Sequence, residues 1–302
     1  MAKRAWLAGC LVALVAVATG CGGGNAPRTG GDPRFDRYVS LGDSYTAAPG
    51  AGSLTGYPRC YQTSENYPRL VADALGSGHF LDNSCAGATT KALTTKQYPT
   101  VDPQLDGLDS QTQLVTLGMG GNDAGLFGTL ILRCTLMGPQ DPKGAPCVNA
   151  FGPLTGPVVT RMLATVQANV RRSLAEIAKR APHARIVLVG YPQIIPAHGT
   201  CSELPLAAGD YPWARGVVKG LDDALKAAAR KARVTYIDMW TPSTGHDICS
   251  SDPWMAGRHN VPGKAVAYHP FEVEQKKVAS LIVKALERKQ AVASHTVGAV
   301  SS

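Results

Sequence analysis

Short apolar segments alternate with helical patterns along most of this chain, and that alternation restricts the fold more than any other feature. Each apolar segment spans only a few residues and is bounded by glycine, proline or polar turn residues. Such runs are typical of strands buried on both faces of a parallel sheet. Four segments fit: Tyr38–Leu41, Gln113–Leu117, Arg185–Val189 and Val234–Met239. Phe80–Leu81 is a shorter fifth candidate.

Amphipathic helices are predicted between and after these strands. In Val158–Lys179 the apolar residues recur every three or four positions, which places them on one helix face. Similar patterns predict helices at Tyr67–Leu75, Val217–Ala232 and Glu272–Arg288. This alternation favours an α/β fold, a three-layer α/β/α sandwich around a mostly parallel sheet. Ligands bind such sheets beyond the carboxyl ends of the strands, so the turns there are where function is expected.

The first residues are typical of an export signal. Lys3 and Arg4 precede the apolar stretch Ala5–Val17, and small residues then lead to Cys21. This arrangement resembles the lipobox of bacterial lipoproteins. We therefore predict a signal peptide over residues 1–20 and lipidation of Cys21, the alternative being an ordinary cleaved secretory signal.

The rest of the chain divides into a tether, one domain and a tail. Residues 21–33 are rich in glycine and have nothing to bury, which predicts a flexible tether. Residues 34–289 contain no further low-complexity break and are long enough for one domain with a sizeable core. The small, polar residues 290–302 are predicted to form a disordered tail. The expected location is extracellular or on the cell envelope, with a lipid anchor in the outer face of the cytoplasmic membrane.

The formal net charge of +8 comes from basic residues scattered along the chain rather than from a basic run. Such a surface mildly favours contact with anionic envelopes or lipids. It gives no positive support for nucleic-acid binding, because no basic stripe or aromatic interleaving accompanies it.

Six cysteines remain once Cys10 and Cys21 are set aside. They allow fifteen pairings. Short loops close at the lowest entropic cost, which favours pairing in sequence order, and each bridge would stabilise the fold by about 2–4 kcal/mol. Zinc binding is the competing interpretation, but no Cys-x-x-Cys or paired Cys/His spacing is present. The sequential pairs are Cys60–Cys85, Cys134–Cys147 and Cys201–Cys249.

A serine after the first predicted strand is the leading candidate for chemistry. Ser44 lies in Gly42-Asp43-Ser44-Tyr45, where it would face the rim of the sheet. A nucleophilic serine needs a base, a partner that orients the base and donors for an oxyanion. The short motif could arise by chance, so its weight depends on whether the chain supplies those groups.

Three further segments could supply them. His269 precedes a proline and the last predicted helix, which would hold it in place; His246 and His259 are alternatives on position. Asn122 follows the third strand and could direct its amide at an oxyanion, or it could merely cap the next helix. Gly87 lies in a loop that could offer backbone N–H groups or could have no such role.

Together these segments resemble the GDSL-type esterases and lipases of the SGNH hydrolase superfamily. The sequence blocks of that superfamily occur here in the right order: Gly42-Asp43-Ser44, Gly87, Gly120-Gly121-Asn122-Asp123 and His269-Pro270. The resemblance implies a flavodoxin-like fold and hydrolysis of carboxylic esters through an acyl-enzyme. The six-cysteine layout and the segment Cys85–Thr90 are similar to secreted actinomycete members with three disulfides.

By this resemblance Ser44 is the nucleophile and His269 the general base and acid. The implied oxyanion donors are the Ser44 and Gly87 backbone N–H groups and the Asn122 side chain. Many relatives carry an aspartate three residues before the histidine, where this chain has Val266. We therefore predict a Ser44–His269 dyad in which the Val266 carbonyl orients the histidine, as a main-chain carbonyl does in some actinomycete members. The nearest upstream carboxylate, Asp252, is the alternative.

The sequence thus predicts an exported esterase or lipase, a monomer that hydrolyses a small-molecule or lipid ester without a metal or organic cofactor. No nucleic-acid partner is expected, and the membrane would be met only through the lipid at Cys21. The same machinery would serve a phospholipase, a thioesterase or a glycan O-deacetylase, because the loops carry no readable substrate code. A non-catalytic binding lipoprotein is the remaining alternative, and the intact Ser44, Asn122 and His269 argue against it.

Overall fold

The central sheet carries every predicted strand and is parallel throughout. The computed structural model describes residues 32–298. Its strands are β1 (Arg37–Gly42), β2 (Leu54–Thr55), β3 (Gln62–Thr63), β4 (His79–Asp82), β5 (Leu114–Gly118), β6 (Arg185–Val189) and β7 (Thr235–Ile237). Strands β2 and β3 form a separate antiparallel pair, and the others form one sheet in the order β4-β1-β5-β6-β7. This is the flavodoxin-like order, so the predicted fold class is confirmed.

Helices cover the sheet in two layers. The α-helices are α1 (Ser44–Ala47), α2 (Tyr67–Leu75), α3 (Thr135–Met137), α4 (Pro146–Phe151), α5 (Pro157–Arg180), α6 (Tyr211–Ala232) and α7 (Glu272–Gly298). Helix α5 packs on α6, and α2 packs on α7. Because parallel crossovers are right-handed and the chain leaves β1 in opposite directions for β4 and for β5–β7, these pairs lie on opposite faces. None of the helices within residues 32–298 is long and apolar enough to cross a membrane.

Shorter helical turns complete the connections. A π-helix covers Gly128–Cys134. The 3-10 turns are Pro33–Phe35, Pro58–Cys60, Thr90–Leu93, Gln104–Gly107, Asp123–Gly125, Gly138–Gln140 and Ala208–Asp210. The stretch between residues 127 and 157 therefore contains several short helices.

Two helix boundaries differ from the sequence prediction. Helix α6 begins at Tyr211 instead of Val217, because Pro212 lies in the first turn, where its missing N–H costs nothing. Helix α7 continues past Arg288 to Gly298, since no glycine or proline interrupts that stretch. The part of the predicted tail before residue 299 is therefore helical. The signal-peptide and lipidation predictions concern residues outside those described.

Disulfides tie down the long loops above the sheet. The structure contains Cys60–Cys85, Cys134–Cys147 and Cys201–Cys249, which are the pairs expected from sequence order. The first joins the β2–β3 hairpin region to the turn after β4, and the third links two loops beyond β6 and β7. The loops at the carboxyl end of the sheet are therefore covalently cross-linked around the predicted site.

Candidate active site

Ser44 begins helix α1 immediately after strand β1. The Asp43 side chain caps this helix, accepting the Tyr45 N–H at 2.9 Å. Gly42 has no room for a side chain, because a Cβ there would lie 2.1 Å from the Thr46 hydroxyl oxygen and 2.8 Å from the Gly118 carbonyl oxygen. Ser44 itself is 9% exposed. The serine is therefore held at the rim of the sheet on a tight strand-to-helix turn.

The carboxyl group of Asp43 is fully buried beneath this turn. One oxygen accepts the Tyr45 N–H, and the other accepts the hydroxyl of Tyr191. Burial raises the pKa of Asp43 to about 7, while its hydrogen bonds oppose that shift. Asp43 thus stabilises the turn that carries Ser44, the predicted nucleophile turn, and its carboxyl oxygens bond to Tyr45 and Tyr191 instead of to His269.

The second block, after strand β4, folds back onto the nucleophile turn. The Cys85 N–H donates to the Gly42 carbonyl at 3.0 Å. Gly87 has φ +75°, a conformation that glycine adopts without strain, and a Cβ there would meet nothing closer than 3.8 Å. The positive φ at position 87, and not a lack of room for a side chain, therefore favours glycine there. Within residues 32–298 the N–H groups of Ser44 and Gly87 have no hydrogen-bond acceptor.

The third block, after strand β5, brings Asn122 to the second. The Asn122 side-chain nitrogen donates to the Ala88 carbonyl at 3.0 Å, which leaves its other amide hydrogen available. The neighbouring Asp123 is buried and accepts the Thr90 N–H at 2.8 Å and the Asn169 side-chain N–H at 2.7 Å. Asp123 therefore anchors the two loops to each other and to helix α5, while Asn122 is free to bind an oxyanion.

His269 lies in the loop before helix α7, and a main-chain carbonyl orients its ring. Its Nδ1 lies 2.7 Å from the carbonyl oxygen of Ala267. A carbonyl can only accept, so Nδ1 carries the proton and Nε2 is left as the base. The predicted Val266 carbonyl is the wrong one. A tight turn at Tyr268, whose φ is +61°, directs the Val266 oxygen to the His269 backbone N–H at 3.2 Å instead.

The His269 loop is fastened to the nucleophile helix through Tyr45. The Tyr45 hydroxyl donates to the Tyr268 carbonyl at 3.0 Å, and its ring centroid lies 5.9 Å from that of His269. Buried Gln275 of α7 donates to the Tyr45 carbonyl at 3.0 Å. Burial lowers the pKa of His269, with the Ala267 hydrogen bond opposing the shift. Burial therefore favours the neutral imidazole, which is the form that a general base needs.

Asp252, the alternative partner, contacts a different histidine. Its carboxylate lies 3.3 Å from the Nδ1 of His246, and its carbonyl lies 2.8 Å from the same nitrogen. The His246 ring stacks on Trp254 at 4.2 Å. His246 is thereby occupied on both its ring face and its Nδ1. His259 is occupied as well, since its Nε2 accepts from the Arg258 side chain at 2.9 Å.

Two residues of this site were missed from the sequence. Tyr191 follows β6 and reaches the site from a fourth strand end, and Gln275 reaches it from helix α7. The position of Tyr191 just beyond a strand was a usable signal, because the same rule selected Ser44 and Asn122. Gln275 is one polar residue inside a helical pattern, and no sequence signal singles it out.

The comparisons with known proteins identify the family of this chain. The sequence profile of the GDSL-like Lipase/Acylhydrolase family matches residues 40–272. The chain is 38% identical to Lipase 2 of Streptomyces coelicolor, over 82% of this chain and 84% of the relative. The crystal structure of phospholipase A1 from Streptomyces albidoflavus NA297 superposes with a TM-score of 0.66 at 30% identity, covering 82% of this chain and 98% of that one. An extracellular lipase of Streptomyces rimosus superposes with a TM-score of 0.67 at 26% identity, with the same coverage.

Proposed function

The chain belongs to the GDSL-like lipase/acylhydrolase family and is a hydrolase of ester bonds, and from that premise we propose that it is an exported carboxylic-ester hydrolase that works through a Ser44 acyl-enzyme. His269 acts as general base and then as general acid. The observation that carries the proposal is the bonding of the His269 loop to Tyr45, the residue next to Ser44. The two reacting side chains thus belong to elements that are fixed to each other.

Acylation begins when the Ser44 Oγ attacks the acyl carbon and Nε2 of His269 accepts the hydroxyl proton. The tetrahedral intermediate collapses, the ester C–O bond breaks, and the alcohol leaves with the proton from Nε2. Water then attacks the acyl-enzyme, giving one proton to Nε2. The acid is released as Ser44 recovers that proton. Throughout, Nδ1–H donates to the Ala267 carbonyl, which stabilises the imidazolium less than a carboxylate would.

The oxyanion is bound by donors from the ends of three strands. Two are the backbone N–H groups of Ser44 and Gly87, which lack acceptors within the described part of the chain. The third is the amide hydrogen of Asn122 that Ala88 does not take. Removing one such donor typically lowers the rate by about 10²–10³.

Hydrolysis of p-nitrophenyl esters of increasing chain length tests the proposal. We expect activity in the wild type and a loss of about 10⁴-fold or more in Ser44→Ala and in His269→Ala. His246→Ala is a matched control, because that histidine also has a carbonyl at Nδ1 and an aromatic neighbour. Undiminished activity in Ser44→Ala would refute the acyl-enzyme. No activity on any ester, in wild type and Ser44→Ala alike, would favour a binding protein.

A phospholipid ester is a second candidate substrate, favoured by the similarity to the phospholipase A1 of S. albidoflavus. Phosphatidylcholine vesicles and p-nitrophenyl esters, assayed at matched ester concentration, separate the two. A kcat/KM on vesicles at least equal to that on short-chain esters would favour the phospholipase. Activity confined to soluble short-chain esters would favour the esterase.

Export is supported by three disulfides, which persist in oxidising compartments. We further propose that Cys21, which lies outside the described residues, carries the lipid anchor, and that the domain is a monomer. Fractionation of cells that express wild type or Cys21→Ser tests the anchor, and light scattering tests the monomer. Release of wild type and variant alike into the medium would refute lipidation.

A further inference from the structure

The hydroxyl of Tyr191 lies between the turn that carries Ser44, the nucleophile turn, and the turn that carries Asn122, the Asn122 turn. It donates to the Asp43 carboxylate, one residue before Ser44. It also accepts the backbone N–H of Gly121 at 2.9 Å, one residue before Asn122. One oxygen atom thereby connects the turn after β1 to the turn after β5, from a residue that follows β6.

This connection is buried and rigidly packed. Tyr191 is 2% exposed. Its ring packs edge-on against Tyr45 at 5.3 Å and against Phe127 at 5.1 Å. Tyr45 also contacts the His269 loop, and the Phe127 ring covers Gly121, where an added Cβ would lie 2.1 Å from it. Because these contacts fix the Tyr191 ring, its hydroxyl holds both turns in place through its two hydrogen bonds.

We propose that Tyr191 is a positioning residue for ester hydrolysis, because its hydroxyl sets the distance between the nucleophile turn and the Asn122 turn. The inference rests on the proposed function, in which the Ser44 N–H and the Asn122 amide bind the same oxyanion. Those donors come from different strands, so their spacing depends on contacts between the loops. The bonds closer to the sheet, such as Asp43 N–H to the Gly118 carbonyl at 2.9 Å, align the strand ends but not the turn beyond them.

The transition state is more sensitive to this spacing than the ground state is. The oxyanion forms only when the acyl carbon becomes tetrahedral, so a misplaced donor raises the barrier without weakening substrate binding equally. Displacement of a catalytic group by about 1 Å can cost about 10²-fold in rate. Tyr191 is therefore expected to affect kcat and the affinity for transition-state analogues more than KM.

Tyr191→Phe tests the inference by removing the hydroxyl while keeping the ring between Tyr45 and Phe127. Tyr236→Phe is the matched control. The Tyr236 hydroxyl also donates to a buried carboxylate, that of Asp222, and it lies against Gly190, the neighbour of Tyr191. A loss of activity caused by general loosening of this strand end would therefore appear in the control as well.

Kinetics, inhibition and amide exchange are measured on both variants and the wild type. In Tyr191→Phe we expect kcat on a p-nitrophenyl ester to fall about 10- to 100-fold, with KM changed by less than about threefold. Inhibition by an alkyl boronic acid, which forms a tetrahedral anion on Ser44, should weaken in parallel. The Gly121 amide should exchange faster, having lost its acceptor. Tyr236→Phe should keep wild-type kcat and inhibition.

Three outcomes would overturn the inference. The first is a Tyr191→Phe enzyme with kcat and boronate inhibition within about twofold of wild type. The second is an equal loss in Tyr191→Phe and Tyr236→Phe, which would indicate general loosening. The third is unchanged amide exchange at Gly121 in Tyr191→Phe, which would refute the link between the turns. This measurement needs no catalysis, so it still tests the link if wild-type protein hydrolyses no ester and the proposed function fails.

Discussion

Replacing Asp252 with asparagine should leave ester hydrolysis within about twofold of wild type. In the structure the Asp252 side chain is 79% exposed and its carboxylate lies 3.3 Å from His246. His269 has its Nδ1 proton directed at the Ala267 carbonyl, 2.7 Å away. The substitution therefore removes an exposed carboxylate, which contributes little to stability and nothing to the orientation of His269.

If Asp252 were the partner of the catalytic histidine, the expected loss of kcat in Asp252→Asn would be much larger. If Asp252 oriented the catalytic histidine, the asparagine variant should lose about 10⁴-fold in kcat, as when the aspartate of a serine-protease triad is replaced. The two expectations differ by about four orders of magnitude. Even a coarse assay separates them.

The assay is kcat on a p-nitrophenyl ester for wild type, Asp252→Asn and His269→Ala. Thermal unfolding of each protein shows whether an activity change reflects loss of the fold. A loss in Asp252→Asn as complete as that in His269→Ala, with the unfolding temperature unchanged, would refute the dyad and the role given to Ala267.

Three further predictions follow from burial and packing. Since burial disfavours the imidazolium of His269, NMR titration should give it a pKa below the ordinary value of 6.5, and a value at or above that would contradict its neutral state. Burial raises the pKa of Glu274 to about 8, whereas the carboxyl group of the unfolded chain has a pKa of 4.5. Between these two pH values the folded state keeps a proton that the unfolded chain releases. The protonated Glu274 therefore stabilises the fold at low pH, and this contribution is lost as the pH rises from 4.5 to about 8. In urea unfolding, Glu274→Gln should therefore gain on the order of a few kcal/mol over wild type from the acid to the alkaline end of that range, whereas a constant difference would show that the carboxyl is not buried. Gly42→Ala should lose at least about 1–3 kcal/mol of stability, because its Cβ would lie 2.1 Å from the Thr46 hydroxyl oxygen. Gly128→Ala is the control and should unfold like wild type, since nothing lies within 4 Å of its Cβ. Equal stability of the two variants would contradict the packing of the nucleophile turn.

The strands and the helix α5 were predictable because their signals are local. Buried parallel strands appear as short apolar runs, and the amphipathic face of α5 appears as a three-to-four-residue period. The end of α7 was not predictable in the same way. A run of residues that suit both a helix and a polar tail carries no stop signal until Gly298.

The contacts that orient the site were less accessible from the sequence. Tyr191 meets Asp43 across 148 positions and Gly121 across 70, so no local pattern links them. The carbonyl at His269 was misassigned by one residue, because the choice between Val266 and Ala267 depends on the positive φ of Tyr268. Residue spacing does not encode that angle.

The chain alone specifies the alternation of strands and helices, and with it the rim where Ser44, Asn122 and His269 are expected. The alternation and the rim follow from residue periodicity and turn chemistry, which act within a few neighbouring positions. The choice of His269 over His246 and His259 came from the resemblance to the GDSL-type family. The folded structure decides which carbonyl accepts the hydrogen bond of the His269 Nδ1–H and which histidine Asp252 contacts. It also places Tyr191 between two turns. These outcomes depend on where separate strand ends meet in space, and hydrogen bonds over a few ångströms respond to single backbone angles.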